Sequence, residues 1–337
     1  MKKIFVIVIS ILMTLLLAVG CTSAPAAPVG TATSSATEAE AAPAATKAAA
    51  PAEKDEYVIA GTLQDMSNEF MVMLKDAMDA AMVDMPDAKL QILDGEGSPE
   101  KQIAQIENFI AQGVDAIVLC PQDGTALVPV VKQAVEAGIP VITCSADVDQ
   151  DVGQVLVGSN HKEAGIMEAE YVAEQLGGKG NVVYMRGPIG HFAEVQRAEG
   201  TLEVFEKYPD IKIVFDQTGN WDRDQGMSLM ENWLQSGTTI DCVMAQNDEM
   251  VLGAITAIEG AKKEGTILTC GIDAIPDAVI AVKDGRLDAT IFQDAVGQGA
   301  GALKTAYAAA KGEKVKPLVI PWMLVTEKNA EEYIVNK

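Results

Sequence analysis

Residues 241–254, DCVMAQNDEMVLGA, carry the pattern on which the fold turns. Residues 242–245 are a short apolar run of the kind that makes a fully buried strand. The run ends in Gln246, Asn247, Asp248 and Glu249, and an apolar helical pattern resumes at Met250. A buried strand feeding directly into a helix is one unit of a parallel sheet covered by helices. The polar junction then lies where such sheets bind ligands, outside the carboxyl ends of the strands. On this reading Asn247 meets a ligand and Asp248 caps the next helix. A turn and a cap alone would also account for Asn-Asp.

The same unit recurs on both sides. Residues 57–63 (YVIAGTL) read as a strand, and 69–85 as a helix with Phe70, Met73, Leu74, Ala77, Met78, Ala81, Met82 and Met85 at three- and four-residue steps. Residues 90–93 are a strand. Ser98-Pro99 opens a helix as N-cap and first-turn proline, and Gly113 closes it. Strands at 116–120, 140–144 and 155–157 and a helix at 125–137 complete a first series. A second series starts after residues 158–160. Its helices are 162–176, 192–207, 222–235, 248–264 and 275–284, and its strands 182–185, 211–215, 242–245, 267–270 and 289–292. A last helix, 295–311, leads to one strand-like stretch, 318–325. About ten such units exceed one ordinary domain. The expected fold class is therefore α/β, with two doubly wound parallel-sheet lobes.

The 337 residues are 49 % apolar, enough for sizeable cores, and carry a net charge of −23. That acidity repels phosphate backbones, so no nucleic-acid partner is expected. The N-terminus, MKKIFVIVISILMTLLLAVGC, has two lysines before an apolar run too short for a membrane span. Residues 18–21 (AVGC) resemble the lipobox of bacterial lipoproteins, with Ala18 where leucine is usual. This implies a lipoprotein signal peptide at 1–20 and a lipidated Cys21, which anchors the chain outside the cytoplasm on the cell membrane. An ordinary signal peptide or an uncleaved anchor is the alternative. Loss of Lys2 and Lys3 with the leader would take the charge from −23 to −25. Residues 21–56 hold hardly any bulky apolar side chain and read as a disordered tether of roughly 30–35 Å. Cys120, Cys144, Cys242 and Cys270 lie in strand-like runs without C-x-x-C spacing. Buried free thiols are expected, with a Cys120–Cys144 bridge as the alternative.

Residues just after each strand form a list of candidate ligand contacts. It runs through 64–71, 120–123, 145–147, 186–192, 218–222, 246–248, 271–273 and 293–294, and gathers amides, carboxylates and candidate aromatic platforms; the resemblance given below narrows it to Asn68, Phe70, Met71, Ser145, Asp147, His191, Trp221, Asn247, Asp273 and Gln293. Planar amides and carboxylates bind paired hydroxyls, and the C–H face of a sugar lies well on an aromatic ring. The mixture suits a neutral sugar, polyol or cyclitol.

AQNDEMVLGA (245–254) closely resembles the matching segment of the bacterial ribose-type periplasmic sugar-binding proteins, the type I solute-binding proteins of ABC importers. So do SNEF (67–70), GIPVIT (138–143), GIDAIPDAV (271–279) and DATIFQD (288–294). The resemblance covers nearly all of 57–325 in the family's order. It implies two lobes joined by three crossings, near 158–161, 292–295 and 321–323. The lobes would be 57–159 plus 294–321, and 160–293 plus 322–337. By position Asn68, Phe70, Asn247, Asp273 and Gln293 match family ligand contacts. Trp221 takes a second aromatic platform, and Met71 replaces another aromatic. Three departures speak against ribose. Ser145-Ala146 stand in place of Asp-Arg, Cys120 in place of an amide, and Val195 in place of a contact arginine just upstream of Arg197. Asp147 and His191 are expected to restore lost polar contacts.

Other signals are set aside. Residues 297–302 match a relaxed G-x-G-x-x-A pattern but lack the later acidic residue, so close helix packing is expected there. Asp147, Asp149 and Asp151 have calcium-loop spacing, yet Val152 and Gly158 occupy the required glycine and glutamate positions. No cofactor and no metal are expected. Hinge closure on a ligand, followed by docking of a monomeric binder on an ABC permease, is the expected function. A sensor presenting its ligand to a chemoreceptor or kinase, and less so an α/β enzyme, are the alternatives.

Overall fold

The computed structural model describes residues 54–334. The leader, Cys21 and the tether up to residue 53 lie outside the described residues. So do 335–337.

Twelve strands form two six-stranded sheets. The first sheet contains β1 (Tyr57–Leu63), β2 (Ala88–Asp94), β3 (Ala116–Leu119), β4 (Val141–Ser145), β5 (Val155–Gly158) and β11 (Leu318–Val319), in the order β11-β5-β4-β3-β1-β2. Every pairing in it is parallel. The second contains β6 (Lys179–Arg186), β7 (Asp210–Thr218), β8 (Cys242–Ala245), β9 (Leu268–Asp273), β10 (Ala289–Phe292) and β12 (Met323–Thr326), in the order β12-β10-β9-β8-β6-β7. Here β12 pairs antiparallel with β10, the one exception to the expected parallel sheets. The helices are α1 (Glu69–Ala81), α2 (Pro99–Gln112), α3 (Gly124–Glu136), α4 (His161–Gln175), α5 (Phe192–Phe205), α6 (Arg223–Gln235), α7 (Asp248–Gly260), α8 (Pro276–Lys283) and α9 (Ala295–Ala310).

Local chemistry sets the helix starts. Asn68, Ser98, Asp123, Asn160, His191, Asp222, Asn247 and Asp294 each accept a backbone N–H from the first turn. The cap of α7 is thus Asn247 rather than Asp248, whose carboxylate is buried and turned into the lobe. The expected helix at 69–85 stops at Ala81 and finishes as a 3-10 turn, Met82–Asp84. Pro86 explains the stop, because a proline disfavours helical conformation in the residue before it.

The strand expected at 318–325 is two strands in different sheets. Between them Pro321 offers no backbone donor, and Trp322 turns inward to 4 % exposure. Its indole N–H donates to the Asn160 carbonyl at 2.8 Å. The chain therefore passes between the sheets three times, after β5, after β10 and after β11. Gln298 Nε2 donates to Ser159 Oγ at 3.0 Å and so ties α9 to the first crossing.

The small residues at 297–302 serve close packing. A Cβ on Gly299 would lie 2.3 Å from the Leu74 carbonyl oxygen, so α9 and α1 meet backbone to backbone over the first sheet. In the second lobe a Cβ on Gly165 would lie 2.0 Å from the Arg197 carbonyl oxygen, and α4 and α5 touch there. Among the described residues Cys120, Cys144, Cys242 and Cys270 are buried and free, so no bridge joins Cys120 to Cys144. No helix among them is long and apolar enough to cross a membrane.

Candidate functional site

The strand ends of the two lobes face each other across a narrow cavity of about 40 Å³. Nine of the ten residues expected from sequence line it: Asn68, Phe70, Met71, Ser145, His191, Trp221, Asn247, Asp273 and Gln293. The tenth, Asp147, does not. Its carboxylate accepts from Thr143 Oγ1 at 2.9 Å, its neighbour Val148 N–H at 2.8 Å and Gln154 Nε2 at 3.1 Å. Those bonds hold the loop after β4 and leave Asp147 a structural role.

Gln293 is the hub. Its Nε2 donates to Ser145 Oγ of the opposite lobe at 2.9 Å, and its Oε1 accepts from Arg197 Nη2 at 2.7 Å. Arg197 also donates to the Gln246 carbonyl and stands 3.7 Å from Asp273 Oδ1. Its guanidinium lies 5.6 Å from the centre of the Trp221 ring and 5.4 Å from that of Trp322, close enough for cation–π attraction to both.

This arginine corrects the sequence reading, in which the pocket had lost its arginines. Val195 is indeed turned out, at 48 % exposure. Arg197 lies one helical turn after Ala193 on the buried face of α5, and both side chains line the cavity. The i, i+4 spacing was the available signal. Gln64 and His161 also line the cavity without having been singled out as contacts. Trp322 was missed as the second ring against Arg197.

Two histidines meet the cleft, and burial keeps both neutral. His161 Nε2 lies 2.6 Å from the Ser145 carbonyl across the cleft, so that nitrogen carries the proton. Burial, and then the nearby Arg197 charge, hold its pKa well below the usual 6.5. His191 Nδ1 accepts the Ala193 N–H at 3.1 Å, and Gln64 of the other lobe, which donates to the Pro121 carbonyl at 2.8 Å, packs against the ring. Burial and Arg197 bring the His191 pKa down to about 4. Asp273 is pushed above the usual carboxylate range by burial, while Arg197 pulls the other way. Behind it, Asp248 is raised to about 7 by burial and holds the Ile275 N–H at 3.0 Å and the Thr290 hydroxyl at 2.7 Å. The cavity thus offers one guanidinium facing one carboxyl, surrounded by neutral donors and acceptors.

Backbone strain concentrates here. Of the seven non-glycine residues with positive φ among the described residues, five belong to this face: Ser145 (64°), Asn220 (54°), Trp221 (63°), Asp273 (125°) and Ala274 (55°). Such conformations cost roughly 1–3 kcal/mol each and persist where surrounding packing imposes them, often at binding sites. Among the described residues no cluster of three or more His, Cys, Asp or Glu could hold a metal ion.

The family model described as "Periplasmic binding protein domain" matches residues 59–314. The chain belongs to the periplasmic binding protein family. This family comprises sugar- and polyol-binding components of ABC transporters that work outside the cytoplasm, and its members here are binders rather than enzymes. The putative rhizopine-binding protein of Rhizobium meliloti is 37 % identical over 82 % of this chain and 92 % of its own length. The ribose import binding protein of Bacillus subtilis is 33 % identical over 82 % and 89 %. Among solved structures, an ABC transporter solute-binding protein from Bacillus halodurans with bound myo-inositol is 41 % identical. It superposes with a TM-score of 0.82 over 84 % of this chain and 99 % of that one. The fold, two α/β lobes of six strands each, is that of the family.

Proposed function

We propose that this chain is the lipid-anchored solute-binding subunit of an ABC importer and that it takes a cyclitol of the myo-inositol type. The observation that carries the reading is the composition of the cleft. Four planar amides (Gln64, Asn68, Asn247 and Gln293), one carboxyl (Asp273) and one guanidinium (Arg197) converge between aromatic rings from both lobes, Phe70 and Trp221. A ring carrying a hydroxyl on every carbon presents adjacent hydroxyl pairs that match such groups, and its C–H faces bury against the rings. A net charge near zero favours an uncharged ligand, because an unpaired charge would be costly in so buried a place. The likeness to the myo-inositol-bound protein supports the same class.

Binding works by hinge closure. A cavity of about 40 Å³ has room for a few waters and none for a six-carbon ring, so the ligand enters only when the lobes part. Opening breaks the bonds of Ser145 with His161 and with Gln293. Each such bond contributes roughly 0.5–1.5 kcal/mol net, little enough for a ligand touching both lobes to decide the balance. The moving bodies are 57–159 plus 294–321, and 160–293 plus 322–337. Cys21, lipidated after removal of 1–20, tethers them to the membrane through 21–56, and the closed monomer docks on the permease.

Titration calorimetry with myo-inositol, ribose, xylitol and glucose tests the ligand class. Tightest binding to the cyclitol is expected, and tighter binding of ribose would overturn it. Mass spectrometry of the membrane-extracted protein, showing a diacylglyceryl adduct on Cys21, tests the anchor.

A further inference from the structure

Beside the inner cavity lies a second chamber of about 440 Å³, between the same two lobes, with Met71 and Trp221 on the boundary. Gln64, Asn68, Met71 and Trp221 line both. The outer volume falls within the range of small-molecule sites, about 300–1,000 Å³. We propose that this outer chamber is a second subsite, which accepts a neutral glycosyl substituent on the ring held in the inner cavity. The proposal rests on the ring-binding reading above and extends it.

The boundary has one rigid side and one deformable side. A Cβ on Gly187 would lie 2.0 Å from the Trp221 ring, so the indole sits directly on that backbone. His191 meets it edge to face at 5.7 Å. Trp221 is thereby fixed, with surface turned to each chamber. Opposite stands Met71, where the family resemblance places an aromatic. Its unbranched thioether rotates about three bonds and makes way for a bond leaving the ring. An aromatic side chain there has two torsions and no such freedom.

The outer lining shows which substituent fits. Gln122 comes from one lobe and Asn220 from the other, both suited to hydroxyls. Three carboxylates, Asp65, Asp222 and Glu249, face one guanidinium, Arg223. Arg223 already donates to Glu249 at 2.6 Å and to Asp277 at 3.2 and 3.3 Å. The chamber therefore presents an excess of negative charge with its cation already paired, which repels phosphate or carboxylate and admits a neutral sugar.

The test is calorimetry of the full-length protein with myo-inositol, α-galactosyl-myo-inositol and myo-inositol 1-phosphate, repeated on Ser67→Trp. Ser67 is exposed and lines the outer chamber but not the inner cavity. Wild type is expected to bind the galactosylated ring within about tenfold of the free ring and the phosphate at least about a hundredfold more weakly. Ser67→Trp is expected to weaken the galactosylated ring by about tenfold or more and to leave myo-inositol within about twofold, which also reports that the variant folds. Binding of myo-inositol without its galactoside overturns the subsite and leaves the inner site standing. So does a galactoside affinity indifferent to Ser67→Trp. Failure of both ligands removes the inner reading, and the subsite falls with it.

Discussion

Arg197 Nη2 donates to Gln293 Oε1 at 2.7 Å, joining the buried face of α5 to the residue that follows β10 at the second crossing. The same Gln293 reaches Ser145 of the other lobe, so one arginine supports the cleft floor and, through one amide, the contact between lobes. Arg197→Gln removes the partner of Asp273 as well as both aromatic contacts. Loss of one member of a buried ion pair costs about 3–5 kcal/mol. The variant is expected to lose about that much stability in urea denaturation and at least about tenfold in ligand affinity by calorimetry. Wild-type affinity in a folded variant would take Arg197 out of the site.

Trp221→Ala removes the stacking platform from the second lobe. Affinity is expected to fall by about 1–3 kcal/mol, the worth of a large buried apolar contact. Asp273→Asn, in the same cavity, is expected to weaken binding through the loss of charge-assisted bonds to hydroxyls. Calorimetry on the two variants separates the contributions, since one acts by area and the other by charge.

Stability carries a pH signature from His191. Its pKa is about 4 in the folded protein against 6.5 ordinarily. Between these values the unfolded chain binds a proton that the folded chain refuses, so this imidazole favours folding more as pH rises from 4 to 6.5 and changes nothing above. A shift of this size corresponds to about 3 kcal/mol. Asp248, raised to about 7, acts in the opposite sense over much of the same window. The difference between wild type and His191→Gln cancels that opposing contribution. Wild type minus variant is expected to grow by up to about 3 kcal/mol from pH 4 to 6.5 and then level off. A difference that stays flat across the range would remove the imidazole from the balance.

Gly165→Ala tests the contact that carries Arg197 to its place. The added Cβ would lie 2.0 Å from the Arg197 carbonyl oxygen and 2.8 Å from its carbonyl carbon, backbone atoms that cannot step aside. Alanine favours the helix by about 1 kcal/mol, but overpacking of this kind costs about 1–3 kcal/mol or more. A lower urea midpoint is expected, together with weaker ligand binding as α5 is pushed from α4. An unchanged midpoint would show that the two helices can separate freely.

The four described cysteines are expected to resist alkylation in the native protein. Burial pushes the Cys120 thiol up to about 12 and raises Cys144, Cys242 and Cys270 well above the usual value. Thiolate is the reactive form, and these sites have almost none. Iodoacetamide labelling read by mass spectrometry should mark them only after denaturant is added.

Local sequence determined much of this protein. The 3.6-residue apolar spacing, the short apolar runs and the capping residues are properties of neighbours in the chain, and they fixed the order of strands and helices. Because parallel sheets place their strand ends on one edge, that order gave the pool of candidates, and the family resemblance narrowed it to ten, of which nine line the cleft. Other features depended on contacts between segments far apart in sequence. Asp147 follows a strand end as Ser145 does, but its loop folds back and spends the carboxylate on Thr143 and Gln154. Arg197 was given no role in the pocket, and the α4–α5 contact at Gly165 shows the face on which it lies. Trp322 reaches Arg197 only because the third crossing turns it inward, and the split of 318–325 between two sheets follows from the same turn. Hydrogen-bond demand and close packing decide these outcomes, and both are satisfied by partners that no short stretch of sequence contains.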